Sequence, residues 1–147
     1  MLEPGGACVH LQATTHRGDA SVDALDHPRP PHEQIDALIR SYLGPARRAG
    51  RGLRAVRTPE DEQDALRHAG FIGPTRIEID TVRVVTRSSD DVVAATFSLS
   101  GSTPHLFGTQ VARFEADLRA LLHDAAPDDT FSERTRPIAL DVWRAEA

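Results

Sequence analysis

Pro4-Gly5-Gly6 leads directly into Ala7-Cys8-Val9-His10-Leu11-Gln12-Ala13-Thr14, a run with an apolar residue at every second position. The turn residues redirect the backbone, and period-two alternation marks a strand with one covered face. A strand this close to the start is how a domain continues rather than how one begins. We therefore expect the front part of the fold to be lacking, leaving a truncated α/β unit.

The rest of the chain alternates helix and strand signals. Residues 15–31 are rich in Asp, His, Gly and Pro, have no sustained period and read as a long loop. Pro30-Pro31 introduces a helix in which Ile35, Leu38, Ile39, Tyr42 and Leu43 form one apolar stripe that ends at Gly44-Pro45. Residues 46–57, dominated by Arg and Gly, read as a solvated connection. Thr58-Pro59-Glu60-Asp61 starts a second helix and Gly70 stops it. Thr75, Ile77 and Ile79 then alternate with Arg76, Glu78 and Asp80, as in a strand with one buried and one wet face, continuing toward Val84-Val85.

Ser88-Ser89-Asp90-Asp91 is a capped helix start, followed by Val92, Val93, Thr96 and Phe97 on one face. Ser100 to Pro104 breaks that helix. The clearest helix carries Val111, Phe114, Leu118, Leu121 and Leu122 inward, with Arg113/Asp117 and Glu115/Arg119 spaced for surface pairs. After Pro127-Asp128-Asp129, Ile138, Leu140 and Val142 alternate with Ala139, Asp141 and Trp143 in a terminal strand.

Composition narrows the chemistry. The 147 residues are 39% hydrophobic and 27% charged, enough for one domain with a moderate core, and 22 acids outnumber 17 bases mixed along the chain. No basic face for nucleic acid is evident. Every base is Arg; without Lys or Asn, Schiff-base chemistry, a P-loop lysine and N-glycosylation are excluded. The single Cys8 lies in an apolar strand and reads as a small buried residue. No apolar run approaches the ~20 residues of a membrane-spanning helix. We expect a cytoplasmic protein with no membrane partner.

Leu2 to Gly6 with its Leu-x-Pro-Gly-Gly pattern, Thr14-Thr15-His16, Ser98 to Gly108 and Phe114 to Leu122, taken in order, resemble class I S-adenosylmethionine-dependent methyltransferases of the bacterial small-molecule type. The likeness covers nearly the whole chain as the carboxyl-terminal half of such a domain, with residues 15–57 as a loop and cap-helix insertion. It implies a partial Rossmann-like methyltransferase fold with a mixed sheet and cap helices. The strands near Ala7, Ile77 and Ile138 take the fifth, sixth and seventh places, the seventh running antiparallel between the other two. It also implies S-adenosylmethionine as cofactor of the complete family. The family's glycine turn and ribose-binding acid have no counterpart here, so none is expected to bind this chain alone. Gly50 to Ala55 fits G-x-G-x-x-A, but a helix precedes it where the motif needs a strand.

His16, at the carboxyl end of the opening strand, is the catalytic candidate: an imidazole there can take a proton from a small-molecule acceptor. A surface-loop histidine is the plain alternative. His105 and Phe107 are the acceptor-binding candidates, although Phe107 is equally placed to be core. His27 and His32 are separated by prolines and share no element with a third ligand, so no metal site is assigned. The rival expectation is a non-catalytic α/β interaction module. Either way, the strand Ala7 to Thr14 lacks one neighbour and invites self-association through its edge.

Overall fold

The structure, a computed structural model, describes residues 6–12, 16–19, 24–46, 48–49, 52–53, 59–80 and 82–145. In chain order the elements are β1 (Ala7–Gln12), α1 (His32–Leu43), β2 (Arg48–Ala49), β3 (Gly52–Leu53), α2 (Pro59–His68), β4 (Phe71–Ile79) and β5 (Val84–Ser88). They continue with α3 (Ser89–Ser98), α4 (Pro104–Phe107), α5 (Val111–Ala125), β6 (Thr130–Arg134) and β7 (Ile138–Ala145). These gather into two units, one of residues 1–15, 55–82 and 136–147, the other of residues 16–54 and 83–135.

The first unit is a three-stranded sheet in the order β1-β7-β4. The terminal strand β7 lies between the other two and is antiparallel to both. A mixed sheet is not seen: every pairing among the described residues is antiparallel. Gly70 ends α2 with a left-handed φ of 82°, and β4 starts at once at Phe71, earlier than the alternation indicated. Val84-Val85 does not extend it.

Helix α2 covers one face of this sheet. Trp143 is 1% exposed, with the Arg67 guanidinium 5.7 Å from its ring centroid, and Asp141 is 2% exposed on the same face. The registers His10↔Asp141 and Arg76↔Asp141 place a histidine and an arginine on either side of that carboxylate. Arg76 donates twice to it, from Nε at 2.7 Å and from a terminal nitrogen at 2.8 Å. Those bonds hold the Asp141 carboxyl below the ordinary carboxylate range even though burial pushes the other way. His10 in turn reaches Glu62 of α2, Nδ1 to Oε2 at 3.7 Å.

The expected sides of the sheet are therefore exchanged. Asp141 and Trp143 lie on the covered side, while Ile77 and Ile79, expected to be buried, are 48% and 42% exposed. Cys8 is half-buried opposite Trp143.

In the second unit, α1, α3 and α4 pack on α5, and β5 and β6 form a separate antiparallel pair. Phe114, Leu118 and Leu122, spaced on one face of α5, are fully buried together with Phe131 of β6. Phe107 stacks on Phe114 with ring centroids 4.0 Å apart, and Tyr42 and Phe97 meet both rings edge-on. The start of α3 is a capping box: the Asp91 N–H donates to Ser88 Oγ at 3.1 Å and the Ser88 N–H to Asp91 Oδ2 at 2.9 Å. Arg119 binds Glu115 as the spacing anticipated, and also Asp90.

Two parts of the second unit differ from the sequence-based picture. The Arg-Gly connection carries the β2–β3 ladder, and residues 130–134, to which the sequence patterns assign no element, form β6. Gly50, Arg51, Arg54 and Ala55 of the G-x-G-x-x-A match lie outside the described residues, as do Thr14 and Thr15.

The four-ring cluster centred on Phe114 yields a stability test. Phe114→Ala removes a fully buried ring from the middle of that cluster and is expected to cost about 3–5 kcal/mol. Chemical denaturation with far-UV circular dichroism measures it; a loss below about 1 kcal/mol would mean that this unit is not organised around that ring.

Candidate functional site

The chemistry of the second unit converges on Glu133. It lies on β6, where Phe131, Ser132 and Glu133 are all buried, and it faces Val85 of the antiparallel partner strand β5. Its neighbour Ser132 donates its N–H to the Pro28 carbonyl at 3.0 Å, tying the strand to the turn before α1. His32 Nε2 donates to Glu133 Oε1 at 2.6 Å, and the Gly18 N–H donates to the same oxygen at 2.9 Å. On the other side, Arg87 Nε of β5 stands 3.0 Å from Oε2, diagonally across the strand pair.

Burial alone pushes the Glu133 carboxyl upward. The hydrogen bonds from His32 and Gly18, with the positive charges of His32 and Arg87, more than offset that, so it sits below the ordinary carboxylate range and is ionised at neutral pH.

Gly18 is built into this contact. A Cβ there would stand 2.6 Å from the Arg134 carbonyl oxygen and 2.8 Å from Glu133 Cβ. Only a residue without a side chain lets the loop 16–19 lie this close to β6, where the Asp19 N–H also donates to the Arg134 carbonyl at 2.7 Å.

Around the carboxylate lies a small pocket. Its floor is apolar, from Ile35, Ile39, Val92 and Leu99, and its polar side carries His16, Arg17, His32, Asp36, Arg87 and Glu133. Arg17 pairs with Asp36 across it at 2.5 Å. The cavity volume is about 20 Å³, room for one water beside the charged groups. With Glu133 ionised, the shared proton of the 2.6 Å contact belongs to His32 Nε2. A neutral His32 then keeps its lone pair on Nδ1. A carboxylate that fixes tautomer and ring orientation in this way is what a general-base histidine requires.

Of the three candidate residues taken from the sequence, His16 lines this pocket. The other two are elsewhere. His105 is on the exposed side of α4, and Phe107 is 6% exposed within the aromatic cluster; neither lines the pocket with His16. The sequence reading did not find Glu133 or Arg87, and it considered His32 only as a metal ligand. His27 stands apart, 3.3 Å from Asp128. Among the described residues, no three His, Cys, Asp or Glu side chains are grouped as a metal would need.

No protein-family model matches this sequence, and no curated protein matches it. No helix among the described residues is long and apolar enough to cross a membrane.

Glu133→Gln keeps the shape and removes the charge. Because Arg87 and His32 are 26% and 24% exposed and can reach water, the expected cost at neutral pH is about 2–3 kcal/mol rather than the full penalty of stranding buried charges. A carboxyl held low in the folded state contributes fully above its unfolded value, and the contribution disappears as pH falls through the folded one. The gap in unfolding free energy between wild type and Glu133→Gln should therefore be widest at neutral pH and narrow in acid. A gap independent of pH would remove ionised Glu133 from this role.

Proposed function

We propose that this chain is the acceptor-side portion of a class I S-adenosylmethionine-dependent methyltransferase acting on a small molecule, inactive without a cofactor-binding half. The observation that carries this proposal is the sheet of the first unit, in which β7 lies between β1 and β4 and is antiparallel to both. The ordered motifs from Leu2 to Leu122 add to it. In such an enzyme the cofactor supplies the methyl group. The acceptor must lose a proton as it attacks; because the pocket has room for no more than a water, that proton would pass by way of such a water to one of two imidazoles, His16 or the Glu133-bound His32.

The division of labour is tested first by calorimetry. The isolated chain is expected to show no saturable heat with S-adenosylmethionine or S-adenosylhomocysteine at micromolar concentration; a one-to-one isotherm with both would overturn the proposed split. Fusion to a compatible amino-terminal half then tests the acceptor side. If turnover is restored, His16→Ala and His32→Gln should each lower kcat by roughly 10²-fold or more with cofactor affinity unchanged. Unchanged kcat in both variants would leave the imidazoles as packing residues.

A second proposal, a non-catalytic interaction module, is favoured by one observation: β1 is an outer strand whose only partner among the described residues is β7. An open edge of this kind accepts a strand from another chain. Partner binding without methyl transfer in the fusion would move this proposal ahead.

A further inference from the structure

The side of the first unit's sheet opposite α2 is apolar from edge to edge. Its cross-strand rows are Val9–Val142–Thr75 and Leu11–Leu140–Ile77, continued by Ile138–Ile79. The next row outward is Ala7–Arg144–Ile72, so the one charged side chain on this face, Arg144, stands at its end. Val9, Leu11, Ile72, Ile77 and Ile79 are between 42% and 61% exposed. Scattered exposed apolar residues are ordinary, but five on one face of a three-stranded sheet are not; Val9, Leu11, Ile77 and Ile79 share one register, and Ile72 follows beyond a bulge between Ile72 and Thr75.

We propose that this face is a self-association surface, packed against the same face of a second copy of the chain. Three features favour a second copy as the occupant. Five large apolar side chains that are 42–61% exposed make a patch on the order of the 300–600 Å² that is the largest on an ordinary monomer. Two such faces together bury on the order of 1,000 Å², the lower bound for a specific interface and the range of weak, reversible association. Apart from Arg144 at its end, the face carries no charge among the described residues for an unlike partner to read, and a three-stranded face of β-branched and Leu side chains can meet its own copy about a two-fold axis. Sheets packed this way form a sandwich, the remaining solution for a sheet whose other face is already covered by a helix.

The proposal is independent of the methyltransferase reading. It also differs from pairing through β1, because Ile77 and Ile79 lie on β4, the opposite edge of the sheet.

Sedimentation velocity of the whole chain over a concentration series tests it. A reversible dimer is expected, and because the contact is apolar it should persist or tighten as salt is raised. Ile77→Glu places a charge in the middle row and should weaken dimerisation at least ~30-fold in Kd. Val9→Glu, on another strand of the same face, should do likewise. Trp143 is buried on the far side, so its fluorescence should stay as in the wild type and report that both variants are folded. A monomer at every concentration would overturn the proposal, as would a dimer whose Kd neither substitution changes; the latter would return the association to the strand edge.

Discussion

A carboxylate withdrawn from water has to be met by cations and hydrogen-bond donors, and each unit of this chain is arranged to supply them. In the first unit Asp141 receives both Arg76 nitrogens; in the second, Glu133 receives His32, Gly18 and Arg87. Stranding either carboxylate would cost several kcal/mol, so these contacts restrict what the backbone around them can do. Strand β7 cannot slip by one residue against β4 without carrying Asp141 to the opposite face and out of reach of Arg76. The loop 16–19 cannot leave β6 without removing the N–H that Glu133 accepts.

That restriction decides which side of the sheet faces the helix. A three-stranded antiparallel sheet ordinarily turns its apolar side inward and its polar side to water. Here β7 turns Asp141 and Trp143 toward α2, and with them go His10 and Arg76. The aliphatic rows of Val9, Leu11, Leu140 and Ile77 are consequently turned outward. An aliphatic sheet face left in water gains nothing from folding until something covers it. The charge pairing on one side of the sheet and the exposed aliphatic rows on the other thus have the same cause.

The helices were legible because each signal was local. The stripe from Ile35 to Leu43, the capping box at Ser88 and Asp91, the glycine stop at Gly70 and the α5 face from Phe114 to Leu122 depend on residues no more than two turns apart. The strands from Ala7 and from Ile138 were equally plain from alternation, but alternation cannot say which side is covered. It assigned the aliphatic side inward, and the bidentate contact from a residue 65 positions away set it outward. Strand β6 was missed for a related reason: Thr130 to Arg134 has one large apolar residue, and its buried polar residues give no signal until their partners are known. Those partners, Gly18 and His32, are 115 and 101 positions distant in sequence.

The same distances explain why His16 was legible as a site candidate and His32 was not. His16 stands out by position, just beyond an obvious strand. His32 opens an amphipathic helix after two prolines, where sequence gives it only a place in the first turn. Its distinction is relational. An imidazole becomes a directed base when one nitrogen is committed to a fixed carboxylate, because that commitment sets the ring plane and leaves the other nitrogen as the basic one. Glu133 supplies that commitment and is itself immobilised by a backbone N–H and by Arg87, so the orientation of His32 is inherited from β6 rather than chosen by α1. His32 and His16 line the same pocket, His32 oriented through Glu133 and His16 from the loop 16–19.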